Sequence, residues 1–104
     1  MILLVYRTVL RGPEMREEFD EMNRLTDAVA LNTPGYIGAE TFAVSPLETV
    51  GLLRFETQEA MAMWSDHPDH KTAHVRGVDE LFSKYEVEVY DLVRQAGFDR
   101  AAQS

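Results

Sequence analysis

The residues best suited to chemistry in this chain lie close together, between positions 64 and 74. This segment holds the only tryptophan, Trp64, and all three histidines, His67, His70 and His74. Histidine exchanges a proton near neutral pH, so it can act as a general base or as a hydrogen-bond donor to a substrate. An indole ring can pack over a planar ligand. We therefore expect any reaction to run through this segment, with Trp64, His70 and His74 as the catalytic residues.

Each of these residues also has an ordinary structural use. Trp64 can fill a core, His67 can cap a helix, and His70 and His74 can make buried hydrogen bonds. The H-x3-H pair of His70 and His74 can bind a divalent metal. The sequence offers no clear third ligand, and paired histidines alone are a weak motif, so we expect no protein-bound metal.

Aromatic and charged residues outside this segment are candidates for binding a substrate. A charge on an apolar strand costs stability unless it is paired. Arg54 would therefore bind an anionic group or, more simply, pair with a glutamate. Tyrosines can line a pocket, but they are also ordinary strand residues. The expected substrate-binding residues are Tyr6, Tyr36, Arg54, Phe82 and Tyr85.

The length and composition indicate one soluble domain. The chain has 104 residues, of which 45% are hydrophobic, and it contains no cysteine. We expect a single domain over residues 1–95 and a small polar tail over residues 96–104. Without cysteine there is no disulfide, no thiolate nucleophile and no zinc–thiolate site.

The charge and the motifs exclude several classes of partner. A net charge of −8 argues against nucleic acid or an anionic membrane. The N-terminal apolar run is too short to span a bilayer and lacks the basic region of a signal peptide, so we expect a cytoplasmic protein. No Gly-rich phosphate loop or dinucleotide fingerprint occurs, so we expect no nucleotide cofactor.

The hydrophobic pattern predicts the order strand, helix, strand, strand, helix, strand. Residues 14–31 form an amphipathic helix whose apolar stripe includes Phe19 and Leu25, and Thr57 caps a second helix. Pro68 disfavours helical geometry at His67, so we expect a break there and a further helix whose inward face includes Val78 and runs to Phe82. The strands are expected at residues 2–10, 36–44, 49–55 and 85–93.

This order is that of the ferredoxin-like split βαβ arrangement, an α+β fold with an antiparallel sheet. Its first and third strands are central, and residues 2–10 and 49–55 are apolar on both faces, as central strands are. Helices would cover one face of the sheet. Because a large exposed apolar face is unfavourable, we expect a second copy of the chain to cover the other.

Three stretches carry a resemblance to a known family. They are PGYIGAETF, LLRFETQEAMAMW and HPDHKTAHVRGVDELFSKYEVEVYDLVR. Over nearly its whole length the chain resembles the antibiotic biosynthesis monooxygenase family, whose members form dimeric α+β barrels. The resemblance implies a homodimer and a cofactor-independent monooxygenase that acts on a small aromatic, phenolic or quinol-like substrate.

The resemblance also implies two alternatives. Haem-degrading relatives use a tryptophan on this helix and a histidine that binds iron, and Trp64 and His74 match these positions. Those enzymes carry an asparagine on the first strand, where this chain has Tyr6. A haem-binding or haem-degrading monooxygenase is therefore one alternative, with haem as its cofactor. Many relatives have no demonstrated turnover, so a non-catalytic small-molecule binding or stress-response module is the other.

Overall fold

The computed structural model describes residues 1–101, and in these it contains a four-stranded sheet and three α-helices. Two short turns join the longer elements, a 3-10 turn at Pro13–Met15 and a π-helical turn at Gly77–Leu81. The strands are β1 (Ile2–Leu10), β2 (Tyr36–Ala43), β3 (Glu48–Phe55) and β4 (Phe82–Asp91). The helices are α1 (Arg16–Leu31), α2 (Gln58–Ser65) and α3 (Pro68–Arg76).

The caps of α2 and α3 follow directly from the sequence. The Thr57 hydroxyl accepts a hydrogen bond from the backbone N–H of Ala60 at 3.1 Å, which starts α2. His67 adopts an extended conformation before Pro68, and its Nδ1 accepts a hydrogen bond from the N–H of Asp69 at 3.1 Å. The predicted break between the two helices is therefore confirmed, and His67 has the capping role.

The sheet has the order β2-β3-β1-β4, and every neighbouring pair is antiparallel. β1 and β3 are the central strands, so the ferredoxin-like α+β prediction is confirmed. The register places Tyr6 of β1 opposite Gly51 of β3 on one side and opposite Val87 of β4 on the other.

Side chains alternate between two faces of this sheet. The inner face packs against the helices, and its residues in β1 and β3 are largely buried. One buried cluster surrounds Trp64, and its members are Ile2, Leu4, Ala30, Leu53, Phe55 and Ala60. Leu10, Phe19 and Leu81 are buried as well.

The outer face is the side that no helix covers. It carries apolar side chains near its centre, where Val5 of β1 pairs with Leu52 of β3. Charged residues flank them in two ion pairs, Arg7 with Glu48 at 3.4 Å and Arg54 with Glu40 at 2.9 Å. The outer face is therefore apolar at its centre and charged around it.

Two predictions about the last elements are wrong. β4 begins at Phe82 rather than at residue 85 and ends at Asp91 rather than at residue 93. Val78, predicted to face inward, is 42% exposed. The π-helical turn explains both differences. Its wider turn breaks the 3.6-residue spacing, so Val78 no longer faces inward, and it ends at Leu81, so β4 begins at Phe82.

One residue of the stripe predicted along α1 also lies outside the core. Leu25 is 55% exposed, whereas Phe19 on the same helix is buried. The helix is rotated so that Thr26 and Asp27, not Leu25, line the space beneath it. The amphipathic helix itself is present, but part of its inward face is polar.

From Leu92 to Asp99 the chain has no regular secondary structure. Val93 is 96% exposed and Phe98 is 69% exposed. The last three residues of the predicted tail, residues 102–104, lie outside the described part of the chain. No helix within residues 1–101 is long and apolar enough to cross a membrane.

Candidate functional site

A cavity of about 880 Å³ lies between the inner face of the sheet and the helices. Its volume falls in the range of small-molecule sites, and most of its wall is apolar. Seven of the eight site residues expected from the sequence line it. They are Tyr6, Tyr36, Trp64, His70, His74, Phe82 and Tyr85.

Trp64 is fixed in the wall of the cavity by contacts on both sides. Its side chain is buried, and its indole N–H donates a hydrogen bond to the Thr26 carbonyl of α1 at 3.0 Å. Its ring centroid lies 5.6 Å from that of Phe55 and 4.2 Å from that of His70. The indole therefore packs in the core and also forms part of the cavity wall, and its contact with the His70 ring helps to position that imidazole.

His70 is a histidine that favours its neutral form. Burial lowers its pKa from the ordinary value of 6.5, and the nearby imidazole of His74 lowers it further. Nearby Asp66 and a hydrogen bond with the Ser65 backbone oppose this shift, but the net direction is downward. At neutral pH the His70 ring is therefore uncharged and able to accept a proton.

His74 lies against the aromatic residues at the β4 side of the cavity. Its ring meets that of Tyr85 edge-on, with centroids 5.0 Å apart. Tyr85 in turn stacks on Phe82 at 6.0 Å. No hydrogen bond within residues 1–101 uses either ring nitrogen of His74. The imidazole is thus positioned by ring packing and keeps both nitrogens available to a ligand.

Tyr6 crosses the middle of the inner face. A Cβ atom at Gly51 would overlap the Tyr6 ring, so the absence of a side chain at Gly51 leaves the space in which that ring lies. Burial raises the pKa of Tyr6 to about 12, and the negative charge of Asp27 contributes to the rise. Tyr6 therefore stays protonated at neutral pH and presents a hydrogen-bond donor to the cavity.

Asp27 of α1 is a site residue that the sequence analysis missed. It lines the cavity, and its charge raises the pKa of Tyr36 as well as that of Tyr6, second to burial in both cases. Burial raises the pKa of Asp27 itself. Asp20 and Asn23 line the same cavity, and with Asp27 they recur at the three- and four-residue spacing of one helix face. This spacing could have identified a polar cavity wall, but polar residues on an ordinary solvent-exposed face have the same spacing.

Arg54 lies away from the cavity. Side-chain alternation along β3 places it on the outer face, where its Nη1 lies 2.9 Å from Oε1 of Glu40. It has the glutamate partner that the sequence suggested as the simpler alternative. In this single chain the Arg54 side chain therefore makes no contribution to the candidate site.

The three histidines do not converge on a metal. His67 is outside the cavity lining and caps α3. Within residues 1–101, no group of three histidine, aspartate or glutamate side chains has the arrangement of a metal site. What the cavity does bring together is two imidazoles, three phenols, an indole and three carboxylates. This set can bind an aromatic ring, accept a proton and donate hydrogen bonds to an oxygen atom.

Comparison with known proteins finds likeness in structure rather than in sequence. No family model matches the chain, and no curated protein matches it. Several solved structures do match. SnoaB from Streptomyces nogalater, described as a cofactor-independent oxygenase, is 17% identical, with a TM-score of 0.74 over 91% of this chain and 94% of its own.

Two further structures show the same architecture. Rv0793 from Mycobacterium tuberculosis is 16% identical, with a TM-score of 0.79 over 92% of this chain and 98% of its own. A structure described as an antibiotic biosynthesis monooxygenase is 13% identical, with a TM-score of 0.76 over 90% of this chain and 100% of its own. Identities this low establish architecture only. The protein has the fold of the antibiotic biosynthesis monooxygenases, as its sequence motifs predicted.

Proposed function

We propose that the protein is a cofactor-independent monooxygenase that oxidises a small aromatic, phenolic or quinol-like substrate. The observation that carries this proposal is the cavity of about 880 Å³, which has aromatic walls and contains the neutral imidazole of His70. The description of SnoaB as a cofactor-independent oxygenase supports the same choice of reaction. The cavity is also large enough for a substrate of two or three fused rings.

The roles of the residues follow from their chemistry. Trp64 holds the substrate ring, and His70 accepts the phenolic proton, with His74 beside it as a second base or hydrogen-bond donor. The resulting electron-rich anion reduces O₂, and the Tyr6 hydroxyl donates a hydrogen bond to the oxygen that becomes negative. The substrate loses two hydrogens and gains one oxygen atom, and the other oxygen atom leaves as water. The substrate therefore supplies every electron that O₂ accepts.

Oxygen uptake with hydroquinones and anthrone tests this proposal. We expect His70→Ala and His74→Ala each to lower the rate by about 100-fold, the usual loss when a general acid or base is removed. His67→Asn is the matched control, because it removes the third histidine while an asparagine keeps the cap of α3. Uptake by the wild-type protein that does not exceed the His74→Ala background would exclude the reaction.

We also propose that the chain forms a homodimer through its outer face. The central apolar pairing of Val5 and Leu52 lies uncovered in the single chain, and Val93 and Phe98 beyond β4 are strongly exposed. A twin subunit would bury these groups together. Light scattering should report twice the chain mass at micromolar concentration, and Val5→Glu should convert the protein to a monomer. A stable wild-type monomer at that concentration would contradict the proposal.

Haem binding is a second candidate, and His74 is the residue that favours it. Its unpartnered imidazole at the cavity matches the axial ligand that the family resemblance implies. Against it, the same resemblance places Tyr6 where the haem-degrading relatives have an asparagine. Added haemin should give a Soret band that is lost in His74→Ala if this candidate holds. Ligand binding with neither a Soret band nor oxygen uptake would identify a non-catalytic binding module.

A further inference from the structure

Thr8 is a buried polar residue whose hydroxyl group has no partner. It lies on the inner face of β1, and its side chain is 3% exposed. Its Oγ1 is the single buried side-chain nitrogen or oxygen among residues 1–101 that makes no hydrogen bond. The same side chain lines the cavity. No local pattern in the sequence distinguishes Thr8 from the other residues of an apolar strand.

A hydroxyl in this state carries a free-energy cost. A buried donor or acceptor without a partner destabilises a protein by about 1–3 kcal/mol, and native structures retain few such groups. Valine has nearly the same shape and would avoid the cost. The presence of threonine therefore indicates that its hydroxyl has a partner when the protein is at work.

A partner from the cavity reaches this hydroxyl when the Thr8 side chain turns about its Cα–Cβ bond, because Oγ1 is covered in the present rotamer while the rest of the side chain borders the cavity. The backbone on either side of Thr8 is already paired, with Thr49 of β3 on one side and Tyr85 of β4 on the other. The cavity wall around it includes the apolar rings of Phe19 and Phe82. An occupant of this end must therefore present an aromatic surface to the phenylalanines and an oxygen atom to Thr8.

We propose that the Thr8 hydroxyl binds a carbonyl or phenolic oxygen of the aromatic substrate and selects oxygen-bearing rings over the corresponding hydrocarbons. This inference rests on the proposed function for the identity of the ligand. It adds a specificity determinant on the sheet, separate from the helix residues His70 and His74. A substrate held by Thr8 would have one oxygen at the sheet and its ring against Phe82 of β4 and Phe19 of α1.

The test compares the affinities of 1-naphthol and naphthalene, measured by equilibrium dialysis without any turnover. The wild-type protein should bind 1-naphthol more tightly than naphthalene. Thr8→Val should weaken 1-naphthol binding by about tenfold and leave naphthalene binding unchanged, because only the alcohol loses a hydrogen bond. Thr8→Ser should restore the preference. If Thr8→Val does not fold, Thr8→Ala against Thr8→Ser gives the same comparison.

Thr49→Val is the matched control, because Thr49 is a buried threonine directly opposite Thr8 that does not line the cavity. It should leave the preference for 1-naphthol unchanged. Equal effects of Thr8→Val on both ligands, or no effect on either, would overturn the inference, as would a wild-type protein that binds no 1-naphthol. Oxygen uptake is measured separately, so a protein that selects through Thr8 but consumes no oxygen would refute the proposed reaction alone.

Discussion

Adding a single methyl group at Gly51 should displace the Tyr6 ring and destabilise the protein. A Cβ atom at Gly51 would lie 2.6 Å from the Tyr6 hydroxyl oxygen, and it would overlap Cε1 and Cζ of the ring more severely. An ordinary contact begins at 3.4 Å, so the ring has to leave its position. Overpacking of this kind costs about 2 kcal/mol. For a chain of this length, that corresponds to a fall of about 10 °C in Tm.

The assay is thermal and urea unfolding followed by circular dichroism at one fixed protein concentration. Gly38→Ala is the matched control, because a Cβ atom at Gly38 in β2 meets nothing within 4 Å. We expect that variant to keep the wild-type Tm. Gly51→Ala should also weaken the binding of aromatic ligands, since the displaced ring turns into the cavity.

A double-mutant cycle isolates the contact. Tyr6→Ala alone should destabilise the protein by leaving a void, but in its presence Gly51→Ala should cost nothing further, because no ring remains to be displaced. The expected coupling free energy is about 2 kcal/mol. If the free-energy costs of the two substitutions are additive, the overlap between Tyr6 and a side chain at position 51 is not the cause of the destabilisation, and the reasoning fails.

Three further predictions concern stability. Burial lowers the pKa of His70 in the folded state below 6.5, so below that pH the unfolded chain binds a proton more readily than the folded one. The free energy of unfolding should therefore fall as the pH drops below 6.5. His70→Gln should flatten this part of the pH profile, measured by urea unfolding. Arg11 donates hydrogen bonds to the carbonyls of Asp79 at 2.8 Å and Phe82 at 3.1 Å, so Arg11→Ala should cost about 1 kcal/mol and speed amide hydrogen exchange in the π-helical turn. Thr57→Ala should lower Tm by about 5 °C through loss of the α2 cap, whereas Thr57→Ser should not.

The order of the elements follows from sequence because each signal is local. Thr57 and Pro68 specify where helices begin, and they act within one turn of the chain. The π-helical turn at Gly77–Leu81 has no such signal. Arg11, far away in sequence, donates hydrogen bonds to the carbonyl of Asp79 in this turn and to that of Phe82 at the start of β4, so the early start of β4 depends on a tertiary contact that a local pattern does not contain.

The candidate site was predictable in its residue types but not in its full wall. Clustering of rare residues identified Trp64 and the histidines, and the inner-face position of Tyr85 follows from the alternation of apolar and charged residues along β4. Arg54 was ambiguous because β3 is apolar on both faces, so alternation does not say which face is inward. Asp27 was missed because a polar residue beside a cavity has the same helical spacing as one in solvent.

The alternation of side chains along β1 has a consequence for how such a protein diversifies. Leu4, Tyr6 and Thr8 border the hollow, while Val5 and Arg7 between them belong to the opposite side. If the cavity binds a ligand and the outer face forms the dimer, as proposed above, neighbouring codons are under different selection, one set for ligand choice and the other for association. A lineage could then acquire a new ligand without disturbing its dimer, but a single-residue insertion within this strand would exchange the two sets of side chains and disrupt both.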